Sequence, residues 1–144
     1  MARRPARPGQ SPLGGDERSD SRERALILLY EAEAKGASPA DVVEAQVTRP
    51  DDLTRLLVTG VEEHMERLDS VIGAHSKGWT VTRMASIDRT VLRIGTFELS
   101  CRPEVPVAVV IDEAVRLAKR FGTDDSGRFV NGVLSATVAE LRPA

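Results

Sequence analysis

Leu53, Leu56, Leu57, Gly60, Val61, Met65, Leu68, Val71 and Ile72 recur at intervals of three and four along one unbroken stretch. Only a helical period gathers such residues onto one side, and the charges between them then face away, so this stretch predicts a long helix packed by a single stripe. The same spacing returns elsewhere. Ala25 to Tyr30 follows a plausible capping box, Asp20 with Glu23, and closes near Lys35 and Gly36. Ser38, Pro39 and Asp41 read as N-cap, first helical residue and N3 of a short helix carrying Val42 and Val43. Pro50 opens the long helix. After Gly78, Trp79 begins a short irregular or helical turn, and Ser86 is placed to cap a helix containing Ile87, Val91, Leu92, Ile94, Phe97 and Leu99.

The segment Val105 to Ile111 is the ambiguous one. Its β-branched residues favour a strand, whereas Pro106 suits the first turn of a helix. Helix is the reading adopted, because Ile111, Ala114, Val115 and Ala118 continue with helical spacing and no partner strand is visible. A loop from Thr123 to Gly127 then leads to a last helix with Phe129, Val130, Val133, Leu134, Val138 and Leu141 on one side. The expectation is an all-α, compact, non-repeating bundle of about seven helices.

Ahead of this bundle, Met1 to about Gly15 combines Pro5, Pro8, Pro12, Gly9, Gly14 and Gly15 with Arg3, Arg4 and Arg7. So little apolar surface does not offset the entropy of ordering, so residues 1–17 are expected as a disordered basic tail and 18–144 as a single domain. No run reaches the roughly 20 apolar residues that cross a bilayer, and the start lacks the apolar middle of a signal peptide. The lone cysteine, Cys101, forbids an intrachain disulfide, suits a reducing cytoplasm and reads as a small buried hydrophobe. The formal net charge of −2 speaks mildly against nucleic acid, but Met1 to Arg24 carries six arginines against Asp16, Glu17, Asp20 and Glu23.

No catalytic, metal or cofactor pattern is found. His64 and His75 lie far apart on the long helix without a nearby cysteine and read as boundary histidines, so no metal site is expected. The glycines form neither a Walker-type loop nor a dinucleotide turn, so no cofactor is expected. Asp112 and Glu113 favour the positive end of their helix, and Arg116, Lys119 and Arg120 the negative end. The chain therefore reads as a binding protein rather than an enzyme.

Two stretches go beyond generic helix: Ile87 to Leu99, and Phe121 to Leu134. In the second, Asp124, Asp125 or Ser126 caps the final helix, with Arg128 and Phe129 in its first turn. A cation and an aromatic face beside unpaired helix amides form a workable grip on single-stranded RNA. On spacing alone Phe129 reads first as a core residue, with the stacking face as the alternative.

From Arg22-Glu23-Arg24-Ala25-Leu26 through Leu134, the chain resembles the NusB family of antitermination factors. The resemblance is carried by Val91-Leu92-Arg93-Ile94, Phe97-Glu98-Leu99, Val105-Pro106, Asp112-Glu113-Ala114, Leu117-Ala118-Lys119 and Phe129-Val130-Asn131-Gly132-Val133-Leu134. It implies the family's helical fold, binding of boxA RNA from ribosomal RNA operons, pairing with NusE, a small-subunit ribosomal protein, and assembly on RNA polymerase to suppress termination. A homodimer is a further implied partner. Carried over by position, RNA contacts fall on Arg18, Arg22, Asp125, Ser126, Arg128 and Phe129, and the acidic position facing the ribosomal protein on Asp88. Between Arg18 and Arg22, where relatives often carry further arginines, this chain has Ser19, Asp20 and Ser21. Each missing phosphate contact flattens the salt dependence by roughly one unit. The thinned motif leaves a second reading, a helical protein-interaction module with weakened or lost RNA binding.

Overall fold

The computed structural model describes residues 17–144. In order come α1 (Glu17–Lys35), α2 (Pro39–Glu44), α3 (Asp52–Ala74), a 3-10 turn (Val81–Arg83), α4 (Ser86–Cys101), α5 (Val107–Phe121) and α6 (Ser126–Leu141). The described residues contain no strand, and the seventh helical element is the single turn after Trp79. The expected tail lies outside the described residues, except that Glu17 already belongs to α1.

Local sequence sets the boundaries. Gly36 takes φ 64° after α1, and the Ala37 N–H donates to the Ala32 carbonyl at 2.9 Å, the pattern that closes a helix with a left-handed residue. Ser38 caps α2 by accepting the Asp41 N–H at 3.1 Å, with Pro39 next in line. For α3 the cap is Asp51, one residue after Pro50; it accepts the Thr54 N–H at 3.2 Å and also the Ser21 hydroxyl of α1. Burial pushes the Asp51 carboxyl up, but the Ser21 and Thr54 hydrogen bonds outweigh it and hold the group below its ordinary 3.8. One carboxylate thus ties the start of α3 to the first turns of α1.

At α4 the expected cap is displaced by one residue: Ala85 precedes the helix, and Ser86 is its first member. Pro106 sits immediately ahead of α5, where its missing N–H costs nothing, so the Val105 to Ile111 segment resolves as helix from Val107. Cys101 is a correction. It falls on the outer side of the last turn of α4 and is exposed rather than buried.

The centre of the bundle is α4, which packs against α1, α3, α5 and α6. From Thr90 to Leu99 every residue except Arg93 is buried, as a helix surrounded by others requires. Two glycines make the close approaches. A Cβ on Gly60 of α3 would stand 2.2 Å from Phe97 Cζ, and one on Gly95 would stand 2.8 Å from Leu134 Cδ1. Where α4 ends, the Arg142 guanidinium donates to the carbonyls of Leu99 and Val105 at 2.8 Å each, of Arg102 at 2.8 Å and of Glu98 at 3.2 Å. It thereby satisfies acceptors that a helix C-terminus leaves over.

Thr96, wholly buried in α4, holds a hydroxyl with no hydrogen-bond partner among the described residues. Desolvating an unpaired hydroxyl costs about 1–3 kcal/mol. Thr96→Val, which keeps the shape and removes the polar atom, is therefore expected to raise stability by about 1 kcal/mol in urea denaturation. A loss of stability would mean that the hydroxyl is bonded.

Candidate nucleic-acid interface

The connection between α5 and α6 is short and tightly bonded. The Gly122 N–H donates to the Ala118 carbonyl at 2.8 Å, and the Thr123 N–H to the Ser126 hydroxyl at 2.9 Å. Asp125 holds the N-cap position of α6 without a side-chain cap bond, and its carbonyl receives the Phe129 N–H at 3.0 Å. These bonds fix the first turn of α6. The Asp125 carboxylate and Arg128 are exposed, while Ser126 is buried and its hydroxyl is used inside the loop. Ser126 is thus a builder of the turn.

Phe129 is half-buried. It packs against the core and meets Trp79 edge-on, with ring centroids 6.3 Å apart. One side of the ring is core, as the spacing reads, and another lines a cavity of about 360 Å³. Trp79, Met84, Asp88, Asp125 and Ser126 line the same cavity. Arg89 supports its wall by donating to the Val81 and Met84 carbonyls at 3.2 and 3.0 Å, which pins the 3-10 turn behind Trp79 to α4. Asp88 lines the cavity as a part-buried residue, and its Oδ1 is buried with no hydrogen-bond donor among the described residues. A carboxylate at a cavity wall is suited to receive an N–H donor or a cation from outside the chain.

Arg18 is exposed in the first turn of α1. Arg22 is the correction. One turn further along α1, it lies only 3% exposed, with Nε 2.9 Å from Glu98 Oε2 and a terminal nitrogen 3.0 Å from Glu98 Oε1. Glu98 also accepts from Arg102 at 2.6 Å. The reason is position along α1: Arg18 sits on its open first turn, whereas Arg22, one turn further in on nearly the same face, is covered by α4, where Glu98 is itself 1% exposed. Its guanidinium joins α1 to α4 and presents no surface to a phosphate.

The structure thus gathers Asp88, Asp125, Ser126 and Phe129 around one cavity, sets Arg128 beside it, and leaves Arg22 on a separate seam. Trp79 is the cavity residue that sequence reasoning missed. Its signal was available, because it is the only tryptophan and stands directly after Gly78, outside any apolar stripe. Also missed were Arg116 and Lys119, read only as complements to a helix dipole. With Arg128 they line a groove of about 750 Å³ between α5 and α6.

Among the described residues no three His, Cys, Asp or Glu side chains converge as metal ligands, and no helix is long and apolar enough to cross a membrane. A sequence model of the NusB family matches residues 19–139. A protein of Saccharopolyspora erythraea named transcription antitermination protein NusB is 46% identical over 123 residues, 81% of this chain and 83% of that one. Among solved structures, NusB of T. maritima superposes with a TM-score of 0.80 at 30% identity, covering 93% of this chain and 95% of its own. A structure of the antitermination factors NusB and NusE in complex with double-stranded RNA gives a TM-score of 0.72 at 31% identity over 83% of this chain and 94% of that one. The family model spans nearly the whole described chain and the relatives match it over most of their length, so the chain belongs to the NusB family.

Proposed function

We propose that this protein is a cytoplasmic transcription antitermination factor that binds boxA RNA of ribosomal RNA operons together with a NusE-type ribosomal protein, and that it acts by binding rather than by chemistry. The observation that carries this reading is the shared cavity. Phe129 offers a ring for a base on one wall, and the part-buried Asp88 offers its carboxylate to a partner's donor on another. RNA and protein would therefore meet on adjoining parts of one surface, with Arg128 at its edge and Arg18 available at the start of α1. The family match and the relative solved with NusE and RNA support the same pairing. Assembly on RNA polymerase and a homodimeric resting form belong to this proposal as further expected partners.

The test is a titration with boxA RNA and a scrambled RNA of the same composition, at fixed salt, with and without the ribosomal protein. The proposal expects a preference for boxA that the ribosomal protein strengthens; no preference in either condition would reject it. Phe129→Ala is expected to weaken boxA binding by the equivalent of one lost stack, about 1–3 kcal/mol, with helical circular dichroism retained. Unchanged affinity in that variant would remove Phe129 from the RNA site.

A further inference from the structure

We infer that the groove between α5 and α6 carries the RNA backbone past the Phe129 cavity, with Lys119 and Arg128 as phosphate contacts and Asp124 as a carboxylate that limits affinity. This inference rests on the function proposed above and adds residues and a path to it.

The groove has a volume of about 750 Å³. Asp112, Arg116 and Lys119 follow one another along a single face of α5, while Arg128 and Asn131 face them from α6 and Asp124 closes one end. The cations differ in what they already hold. Arg116 donates to the Ser19 carbonyl and to Glu113, both at 3.2 Å, and Arg120 donates to Glu23 at 2.7 Å. Lys119 and Arg128 are exposed and make no hydrogen bond or ion pair with any described residue. Gly127 explains how Lys119 is aimed: a Cβ there would stand 2.9 Å from Lys119 Cγ, so the missing side chain lets the lysine stem lie against α6 while its ammonium stays in water.

Both ends of the groove lead to features that suit a nucleotide chain. At one end, the first turn of α1 is fastened to α5 by Ser19, whose hydroxyl donates to Glu113 at 2.6 Å and whose carbonyl receives Arg116. Arg18, the preceding residue, is exposed there. At the other end, Phe129 follows Arg128 directly, so the groove and the aromatic cavity share the first turn of α6. Cations beside an aromatic wall fit a chain of phosphates and bases. An acidic protein segment would use the cations and leave the rings unused.

The test measures RNA affinity against salt for the full-length protein with boxA RNA and with scrambled RNA. Lys119→Gln keeps the stem and removes the charge. It is expected to weaken binding roughly three- to tenfold, to about the same extent for both RNAs, and to flatten the salt slope by about 0.7. Asp124→Asn is expected to tighten binding a few-fold, a gain that a folding defect does not produce. Unchanged affinity and slope in both variants, with the wild-type preference for boxA intact, would overturn the groove and leave the proposed function standing. If Lys119→Gln weakened capture of the ribosomal protein and left RNA binding unchanged, the groove would be a protein contact and the inference would fail. Absence of RNA binding by the wild-type protein in every condition would overturn both.

Discussion

Arg22→Ala is expected to lower the unfolding free energy by about 3 kcal/mol in chemical denaturation, while RNA binding by the fraction that stays folded keeps the wild-type salt slope. The alanine takes both hydrogen bonds from Glu98, a carboxylate only 1% exposed between α1 and α4. Breaking a buried pair by removing one member costs about 3–5 kcal/mol because the remaining charge is uncompensated. Here Arg102 still donates to Glu98 at 2.6 Å, which places the effect at the lower end. The RNA contact that the resemblance implied for Arg22 would instead give weaker binding with a shallower salt dependence. An alanine variant behaving in that way would show that the guanidinium leaves Glu98 to meet phosphate.

Gly60→Ala is expected to destabilise by about 2 kcal/mol, although alanine in a helix interior normally gains about 1 kcal/mol over glycine. The new methyl group would stand 2.2 to 2.8 Å from three ring carbons of Phe97, so α3 and α4 must separate or the ring must leave its place. Gly132→Ala on α6 supplies the control, since a Cβ there meets nothing within 4 Å, and this variant should be neutral or slightly stabilised. Phe97→Leu combined with Gly60→Ala should recover part of the loss, as expected of two residues in contact. Equal, favourable responses at Gly60 and Gly132 would contradict the close crossing of α3 and α4.

The helices were largely legible because their information is periodic and local. Leu57, Val61, Leu68 and Ile72 announce a buried stripe whatever they pack against, and Ser38-Pro39 and Gly36 mark their own boundaries. The α6 turn and its aromatic residue were legible for a similar reason, since Asp125 to Phe129 are neighbours in sequence. What escaped depends on pairs distant in the chain. Whether Arg22 faces water or α4 is decided by Glu98, 76 residues away. Whether Lys119 is only a complement to its helix dipole or one wall of a groove is decided by the angle at which α6 returns, and by Gly127. Cys101 belongs to the same class: a single thiol at the end of a buried helix lies inside or outside according to the phase of its last turn.

On the proposed path, RNA lies along the face built by α5 and the first turn of α6, next to the cavity lined by Asp88. Photocrosslinking of boxA RNA carrying a photoreactive uridine, in the presence of the ribosomal protein and with the attached peptides sequenced, reads this directly. Attachment is expected within Arg116 to Asn131, with Phe129 or Arg128 among the modified residues. Attachment confined to the region around Arg49, in the connection between α2 and α3, and Arg55, in the first turn of α3, would overturn it.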